Sequence, residues 1–189
     1  MDWPPQCETI KERLETLYSL DALEPFLQLT RGQTLPNEFD GEIVIRERTS
    51  DDTVAGIWLE VSREEVTIHL LARYSKSHKG VVRDILYLII CKAIQLDLPI
   101  TFIAVPSSKS VVPGMIKNAK PEKLHKYYTN IGFTQKETSS KKENRIITYH
   151  TSVNTLTEII RRWQPAEGKG GRRKTRRTCN TRRKSTIER

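Results

Sequence analysis

Residues 73–80, near the middle of the chain, read as a polar, basic loop. Gly80 permits a tight turn directly before the most apolar helical pattern in the sequence, and His78 and Lys79 add positive charge. Backbone N–H groups at the start of a helix bind phosphate oxygens whatever the side chains are. The start of this helix is therefore a position at which the chain could hold an anion.

Two side chains on neighbouring strand patterns could accept a proton. Glu60 lies near the end of one pattern, and His69 lies between Ile68 and Leu70 in the next, so it faces the other side of its strand. Both residue types act as general bases in enzymes. The alternative is that His69 is a structural residue on a sheet face and Glu60 a solvated carboxylate at a strand end.

Metal and thiol chemistry are not expected from the cysteines and histidines. Cys7, Cys91 and Cys179 are odd in number and far apart, and the chain contains no CxxC, HExxH or HxxxH motif. This usage predicts neither a disulfide scaffold nor a zinc site, and it favours a reducing compartment.

The periodicity of apolar residues predicts an α/β fold, and it defines the elements that must position these groups. Helical spacing covers residues 8–29, with a second short helix from Asp21, and residues 81–96, 122–130 and 154–163. Strand patterns cover residues 42–48, 56–61, 66–72 and 100–105. A further strand starts at residues 132–134, and residues 145–150 are its predicted partner. The first three strands predict an antiparallel meander, and strand, long helix and buried strand predict a right-handed βαβ unit.

This order of elements resembles the GNAT family of acyl-CoA-dependent N-acetyltransferases over about residues 42–150. The resemblance is most particular at residues 126–133, Lys-Tyr-Tyr-Thr-Asn-Ile-Gly-Phe, where an aromatic residue, three further residues and Gly-Phe follow one another. Residues 77–82 stand where the family has Gln/Arg-x-x-Gly-x-Gly/Ala, and only Gly80 matches. The resemblance implies a mixed, mostly antiparallel sheet with a central βαβ unit, whose third and fourth strands separate after about Leu70.

The function implied by the resemblance is transfer of an acetyl group from acetyl-CoA, a co-substrate, to an amine. The pyrophosphate of the co-substrate would be held by the turn at residues 77–82, that is by Ser77, His78, Lys79, Gly80, Val81 and Val82. Its pantetheine arm would lie against Leu70, Leu71 and Ala72. A free lysine amine has a pKa of about 10.4, so the acceptor needs a base. Glu60 and His69 are the candidates for that base.

Tyr128 matches the position from which the family protonates the departing thiolate. The alternative is an aromatic side chain that packs on Phe133. Tyr127 points elsewhere on the helix and is expected in the core.

A second function stays open, because Ser77 and Val82 depart from the family's phosphate motif. Val82 replaces a small residue and would crowd the phosphates. The alternative is therefore a non-catalytic GNAT-like protein that binds nucleic acid or an acidic partner. A third alternative is an unrelated α+β domain.

The C-terminal residues differ sharply in composition from the rest. Residues 166–189 contain ten Lys or Arg and two acids, so they carry +8 of the total charge of +9. Such a segment is expected to be disordered and to contact nucleic acid without specificity, through phosphates alone, because it has no aromatic residue. A solubilising tail without a partner is the alternative. In style the run resembles the tails of proteins from large DNA viruses.

The predicted organisation is a helical N-terminal extension (1–41), a GNAT-like domain (42–164) and a disordered basic tail (165–189). The longest apolar stretch, residues 85–91, is far shorter than the roughly 20 residues of a membrane span. The N-terminus has no secretory signal pattern. We therefore expect a soluble intracellular protein without a membrane partner, with nuclear or virion association as further options; the oligomeric state is open.

Overall fold

Seven strands form one mixed sheet in the computed structural model of the chain, which describes residues 3–36, 42–78, 80–104, 121–139 and 146–163. The strands are β1 (Tyr18–Ser19), β2 (Ile43–Glu47), β3 (Thr53–Val61), β4 (Val66–Arg73), β5 (Ile100–Ala104), β6 (Thr134–Ser139) and β7 (Ile146–Thr151). The helices are α1 (Pro5–Leu17), α2 (Glu24–Leu27), α3 (Val81–Leu96), α4 (Pro121–Ile131) and α5 (Val153–Arg161), with a 3-10 turn at Asp21–Leu23.

The sheet has the strand order β1-β2-β3-β4-β5-β7-β6. Every neighbouring pair is antiparallel except β4 and β5, which are parallel and joined through α3. A parallel pair needs such a crossover, whereas the antiparallel pairs of the meander need only short turns. The predicted GNAT-like fold, a mostly antiparallel mixed sheet with a central βαβ unit, is confirmed.

The helix α3 is the centre of the hydrophobic core. It begins after Gly80, whose φ of +95° suits glycine, and ends at Asp97, which has a φ of +61°. Twelve of its sixteen residues are buried, because the sheet, α1 and α5 all pack against it. Neither α3 nor any other helix in the described part of the chain is long and apolar enough to span a membrane.

The strands β4 and β5 pair only over three residues each. Val66, Thr67 and Ile68 face Ile100, Thr101 and Phe102, although β4 continues to Arg73 and β5 to Ala104. The register of β4 against β3 shifts here, since Ile68 faces Leu59 and Leu70 faces Trp58. This β-bulge leaves His69 as the extra residue and bends the strand. The predicted separation of the two strands therefore occurs, immediately after Ile68.

The N-terminal residues share the core of the rest of the chain. The helix α1 packs against α3, and the two-residue strand β1 pairs with β2 at the edge of the sheet. Helix was predicted for residues 8–29, and α1 and α2 confirm most of it. The strand β1 was not predicted, because two residues are too few to show an alternating pattern. The proposed domain boundaries stay a prediction.

A disulfide joins Cys7 of α1 to Cys91 of α3, and both residues are fully buried. The cysteine spacing had predicted no disulfide scaffold, and for this pair the expectation is wrong. The two residues are 84 positions apart in sequence, so only the packing of α1 on α3 brings their sulfur atoms together. Cys179 lies outside the described residues.

Candidate active site

The turn before α3 presents backbone donors at one end of the strand gap. The first intrahelical hydrogen bond runs from the N–H of Asp84 to the carbonyl of Gly80, 3.0 Å away. Among the described residues, the N–H groups of residues 81–83 have no backbone acceptor, and no side chain caps the helix. Free N–H groups at a helix start bind anions. The start of α3 therefore has free backbone donors, and an anion site there stays a prediction.

The side chains of this turn differ in how far they are buried. Ser77 is exposed, and its Oγ lies 2.7 Å from the Oγ of Ser75. The side chain of Val81 is buried, so only its backbone can reach a phosphate. Val82 packs partly buried against the core, which directs its methyl groups toward the core. Lys79 lies outside the described residues.

Arg83 is a candidate phosphate ligand that the sequence analysis missed. A Cβ atom built on Gly80 would lie 4.0 Å from Nη2 of Arg83, so the guanidinium lies beside the turn. Arg83 also donates to Oδ1 of the buried Asp84 at 3.2 Å. Helical periodicity placed Arg83 on the polar side of α3 but could not show that its head returns to the N-terminal turn.

Leu70, Leu71 and Ala72 line β4 where it has left β5. They pair with Trp58, Ile57 and Gly56 of β3 along one edge of the strand. The other edge of β4 has no partner in β5 beyond Ile68. Within the described part of the chain no strand pairs with that edge, which suits an extended ligand such as the pantetheine arm that the resemblance implies.

Tyr128 lies at the mouth of the strand gap. Its ring centroid is 4.4 Å from that of Phe102, the last residue of β5 that pairs with β4. The side chain is only 6% exposed. Burial, the largest cause, raises the pKa of Tyr128 far above the ordinary value of 10.0. The hydroxyl is thus protonated at neutral pH, as a general acid requires.

Tyr127 is not in the core, and that prediction was wrong. It is 37% exposed, and its ring meets that of Tyr128 edge-on at 5.2 Å. Leu124, Tyr128 and Ile131 occupy the core-facing positions of α4 with helical spacing, so Tyr127 falls at the edge of that face. Burial of the hydroxyl end nevertheless raises its pKa to about 12.

A hydrogen bond between His125 and Tyr149 lies next to Tyr128 and was not predicted. Nδ1 of His125 is 3.0 Å from the hydroxyl of Tyr149, whose ring is 5.3 Å from that of Tyr128. Tyr149 is fully buried. The pair joins α4 to β7, so no local sequence signal could have revealed it.

The two candidate bases, His69 and Glu60, contact each other on the face of the sheet opposite to Tyr128. Nε2 of His69 is 3.2 Å from Oε2 of Glu60, and the indole of Trp58 lies 4.8 Å from the imidazole. Trp58 is 43% exposed, and the side chain of Glu60 is also exposed. A carboxylate can orient an imidazole ring by hydrogen-bonding one of its nitrogen atoms. Sequence reasoning named Glu60 and His69 separately and missed Trp58.

Comparisons with known proteins found similar solved structures. The ribosomal-protein-S18-alanine N-acetyltransferase from Escherichia coli aligns with a TM-score of 0.46 and 12% identity, over 72% of this chain and 92% of that one. A putative acetyltransferase from Agrobacterium tumefaciens aligns with a TM-score of 0.43 and 15% identity, over 80% and 95% of the two chains. The anti-CRISPR protein AcrVA5 aligns with a TM-score of 0.37 and 20% identity, over 50% and 88%.

No protein-family model and no curated protein matches this sequence. At the identities and TM-scores above, the structural similarities assign no activity, substrate or partner to the chain. What it can do has to be argued from its own residues.

Proposed function

We propose that the chain is an N-acetyltransferase that transfers the acetyl group of acetyl-CoA to an amine. One observation carries the proposal: β4 and β5 separate after Ile68, and groups suited to acyl transfer lie around the gap. Tyr128 is at its mouth on one face, and His69 with Glu60 is on the other. The donor-rich turn after Gly80 follows the end of β4.

The proposed reaction breaks the carbon–sulfur bond of the thioester and forms a carbon–nitrogen bond. His69, oriented by Glu60, removes a proton from the acceptor amine, directly or through water, as the nitrogen attacks the acetyl carbonyl carbon. A backbone N–H on the free edge of β4 stabilises the negative charge that develops on the carbonyl oxygen. Tyr128, whose hydroxyl is protonated at neutral pH, donates its proton to the departing sulfur.

The surroundings of His69 suit a positively charged amine. The carboxylate of Glu60 attracts an ammonium group, and the exposed face of Trp58 adds a cation–π contact. The salt bridges among the described residues pair Glu60 with His69 and with no lysine or arginine. The negative charge is therefore available to an acceptor.

Binding of acetyl-CoA tests the proposal before an acceptor is known. We expect calorimetry to detect binding of acetyl-CoA. The ligand should also raise the melting temperature, because at a concentration of 100 times Kd it stabilises the folded state by about 2.7 kcal/mol through mass action. Gly80→Val should abolish both effects, because valine at a φ of +95° distorts the turn.

Gly32→Val is the matched control. Gly32 also has a positive φ, +85°, and no atom lies within 4 Å of a Cβ built there. This variant should lose comparable stability and still bind acetyl-CoA. If the wild-type protein shows neither heat nor thermal shift at millimolar acetyl-CoA, the non-catalytic alternative replaces the enzyme.

A second function is proposed for the C-terminal residues, on the basis of their charge. Residues 166–189 lie outside the described part of the chain, and their net charge is +8. We propose that they contact nucleic acid through its phosphates without reading its sequence.

A further inference from the structure

The N-terminal residues 5–19 contact the proposed phosphate turn from two directions. The first contact is made by α1, which runs antiparallel to α3, since Cys7 meets Cys91 and Arg13 meets Asp84. Nε of Arg13 lies 3.5 Å from Oδ2 of Asp84, a residue of the first turn of α3 that is only 5% exposed. The other oxygen of that carboxylate accepts from Arg83. Asp84 thus links α1 to the guanidinium beside Gly80.

The second contact is made by Tyr18, the first residue of β1. Its hydroxyl hydrogen-bonds with Nδ1 of His78 at 3.2 Å, and the two rings meet edge-on at 5.7 Å. Nε2 of His78 lies 3.6 Å from Oε1 of Glu47, and Glu47 is the residue of β2 that pairs with Tyr18. Both ring nitrogens of His78 are therefore held by the edge of the sheet that the N-terminal residues complete.

Tyr18 is itself fixed in place. Its carbonyl accepts from Nε of Arg48 at 3.1 Å, and the N–H of Arg48 donates to the carbonyl of Leu17 at 3.0 Å. The ring of Tyr18 is 7% exposed. A side chain held this firmly can restrict the rotamer of His78 and, through it, the conformation of the turn.

We infer that Tyr18 and Arg13 are positioning residues for coenzyme A, and that the Cys7–Cys91 disulfide fastens the segment that carries them. This inference rests on the proposed function, because it assumes that residues 77–82 bind the pyrophosphate. Tyr18 acts through His78, and Arg13 acts through Asp84 and Arg83. Neither has to touch the ligand, since their effect is to hold the phosphate turn in one conformation before binding.

The test of Tyr18 is a comparison of KM with kcat. Tyr18→Phe keeps the ring contact with His78 and removes the hydroxyl. We expect KM and Kd for acetyl-CoA to rise roughly three- to tenfold, the worth of one hydrogen bond, while kcat at saturation is unchanged. In a double-mutant cycle with His78→Ala, the two effects should not add, because one acts through the other.

The control for Tyr18→Phe is Tyr74→Phe, since the hydroxyl of Tyr74 also hydrogen-bonds a side chain, but that side chain is Glu42 and not a residue of the turn. Its Kd for acetyl-CoA should equal that of the wild type. An unchanged Kd in Tyr18→Phe, or additive effects in the cycle, would overturn the role of Tyr18.

The role of the disulfide is tested by calorimetry before and after treatment with a dithiol. The dithiol supplies two electrons and two protons, which convert the Cys7–Cys91 bond to two thiols while the dithiol becomes a disulfide. Reduction should weaken acetyl-CoA binding severalfold, and the double variant Cys7→Ala/Cys91→Ala should bind weakly whether or not dithiol is present. Equal affinity before and after reduction would refute the role of the disulfide. Absence of binding in both states would refute the proposed function instead.

Discussion

Two adjacent tyrosines of α4 have opposite environments. Tyr128 faces the core with helical spacing from Leu124, and Tyr127 lies at the edge of that face. The ring of Tyr128 also packs against Phe133, with 6.3 Å between ring centroids. If Tyr128 only packs, removal of its hydroxyl should change turnover little. If Tyr128 donates a proton, the same removal should lower turnover.

Tyr128→Phe should lower kcat by roughly 10²–10⁴, the range for loss of a general acid. Phenylalanine keeps the contacts with Phe102 and Phe133, so KM for acetyl-CoA and thermal stability should change little. Steady-state kinetics at saturating acetyl-CoA and a melting curve measure both. The pKa of Tyr128 is raised above 10.0, so the hydroxyl should stay protonated up to about pH 10. Ionisation of Tyr128 should therefore cause no loss of rate in the wild type over that pH range.

Tyr127→Phe is the matched control for that substitution. Its ring keeps the edge-on contact with Tyr128, and turnover should be nearly that of the wild type. Small and equal effects of the two substitutions would show that Tyr128 is a packing residue only.

At the scale of elements, the junction of α4 and β6 explains why glycine and phenylalanine follow the tyrosines. The N–H groups of Gly132 and Phe133 both donate to the carbonyl of Tyr128, at 3.2 and 3.0 Å, and close the helix. Gly132 has a φ of +121°, which only glycine adopts readily. A Cβ there would lie 3.1 Å from Cγ1 of Ile159, so a side chain at this position would have to displace Ile159 of α5 by a few tenths of an ångström.

Gly132→Ala should destabilise the fold by about 2–4 kcal/mol, the sum of backbone strain and overpacking against Ile159. Chemical denaturation measures the free energy of unfolding. Gly32→Ala, at a positive φ with nothing within 4 Å, should cost only about 1 kcal/mol. Similar losses in the two variants would mean that the contact with α5 contributes nothing.

At the scale of the whole molecule, most of the positive charge lies in the C-terminal residues and not in the residues that form the sheet and helices. Residues 166–189 carry +8 of the total +9, so residues 1–165 are close to neutral. Binding to a polyanion should therefore depend on the C-terminal residues and not on the sheet.

Deletion of residues 166–189 should remove binding to double-stranded DNA and leave acetyl-CoA binding intact. If the full chain contacts about six to eight phosphates, log affinity should fall with log salt at a slope of roughly −5 to −7. Fluorescence anisotropy over a range of salt concentrations measures the slope. Undiminished DNA binding by the truncated chain would place the nucleic-acid site in the folded part.

Local patterns predicted most of the elements correctly. The apolar patterns of α3 and of the buried strand β5 are strong, because a helix or strand must bury apolar side chains on each face that contacts the core. The polar turns of the meander separate its strands clearly. The same patterns indicated Gly80 at the start of α3 and Gly132 after α4, since glycine adopts a positive φ without the strain that other residues meet there.

The composition of the sequence alone determined where the charge lies, which positions must turn and which faces must be buried, since these depend on residue type and short spacing. Only the tertiary structure decided that Cys7 reaches Cys91, that Glu60 contacts His69, that His78 is held by Tyr18 and that Tyr127 is exposed. The bonded and contacting pairs lie on different elements or different strands. Their contacts depend on strand register and on the packing of α1 against α3, which short-range periodicity does not encode.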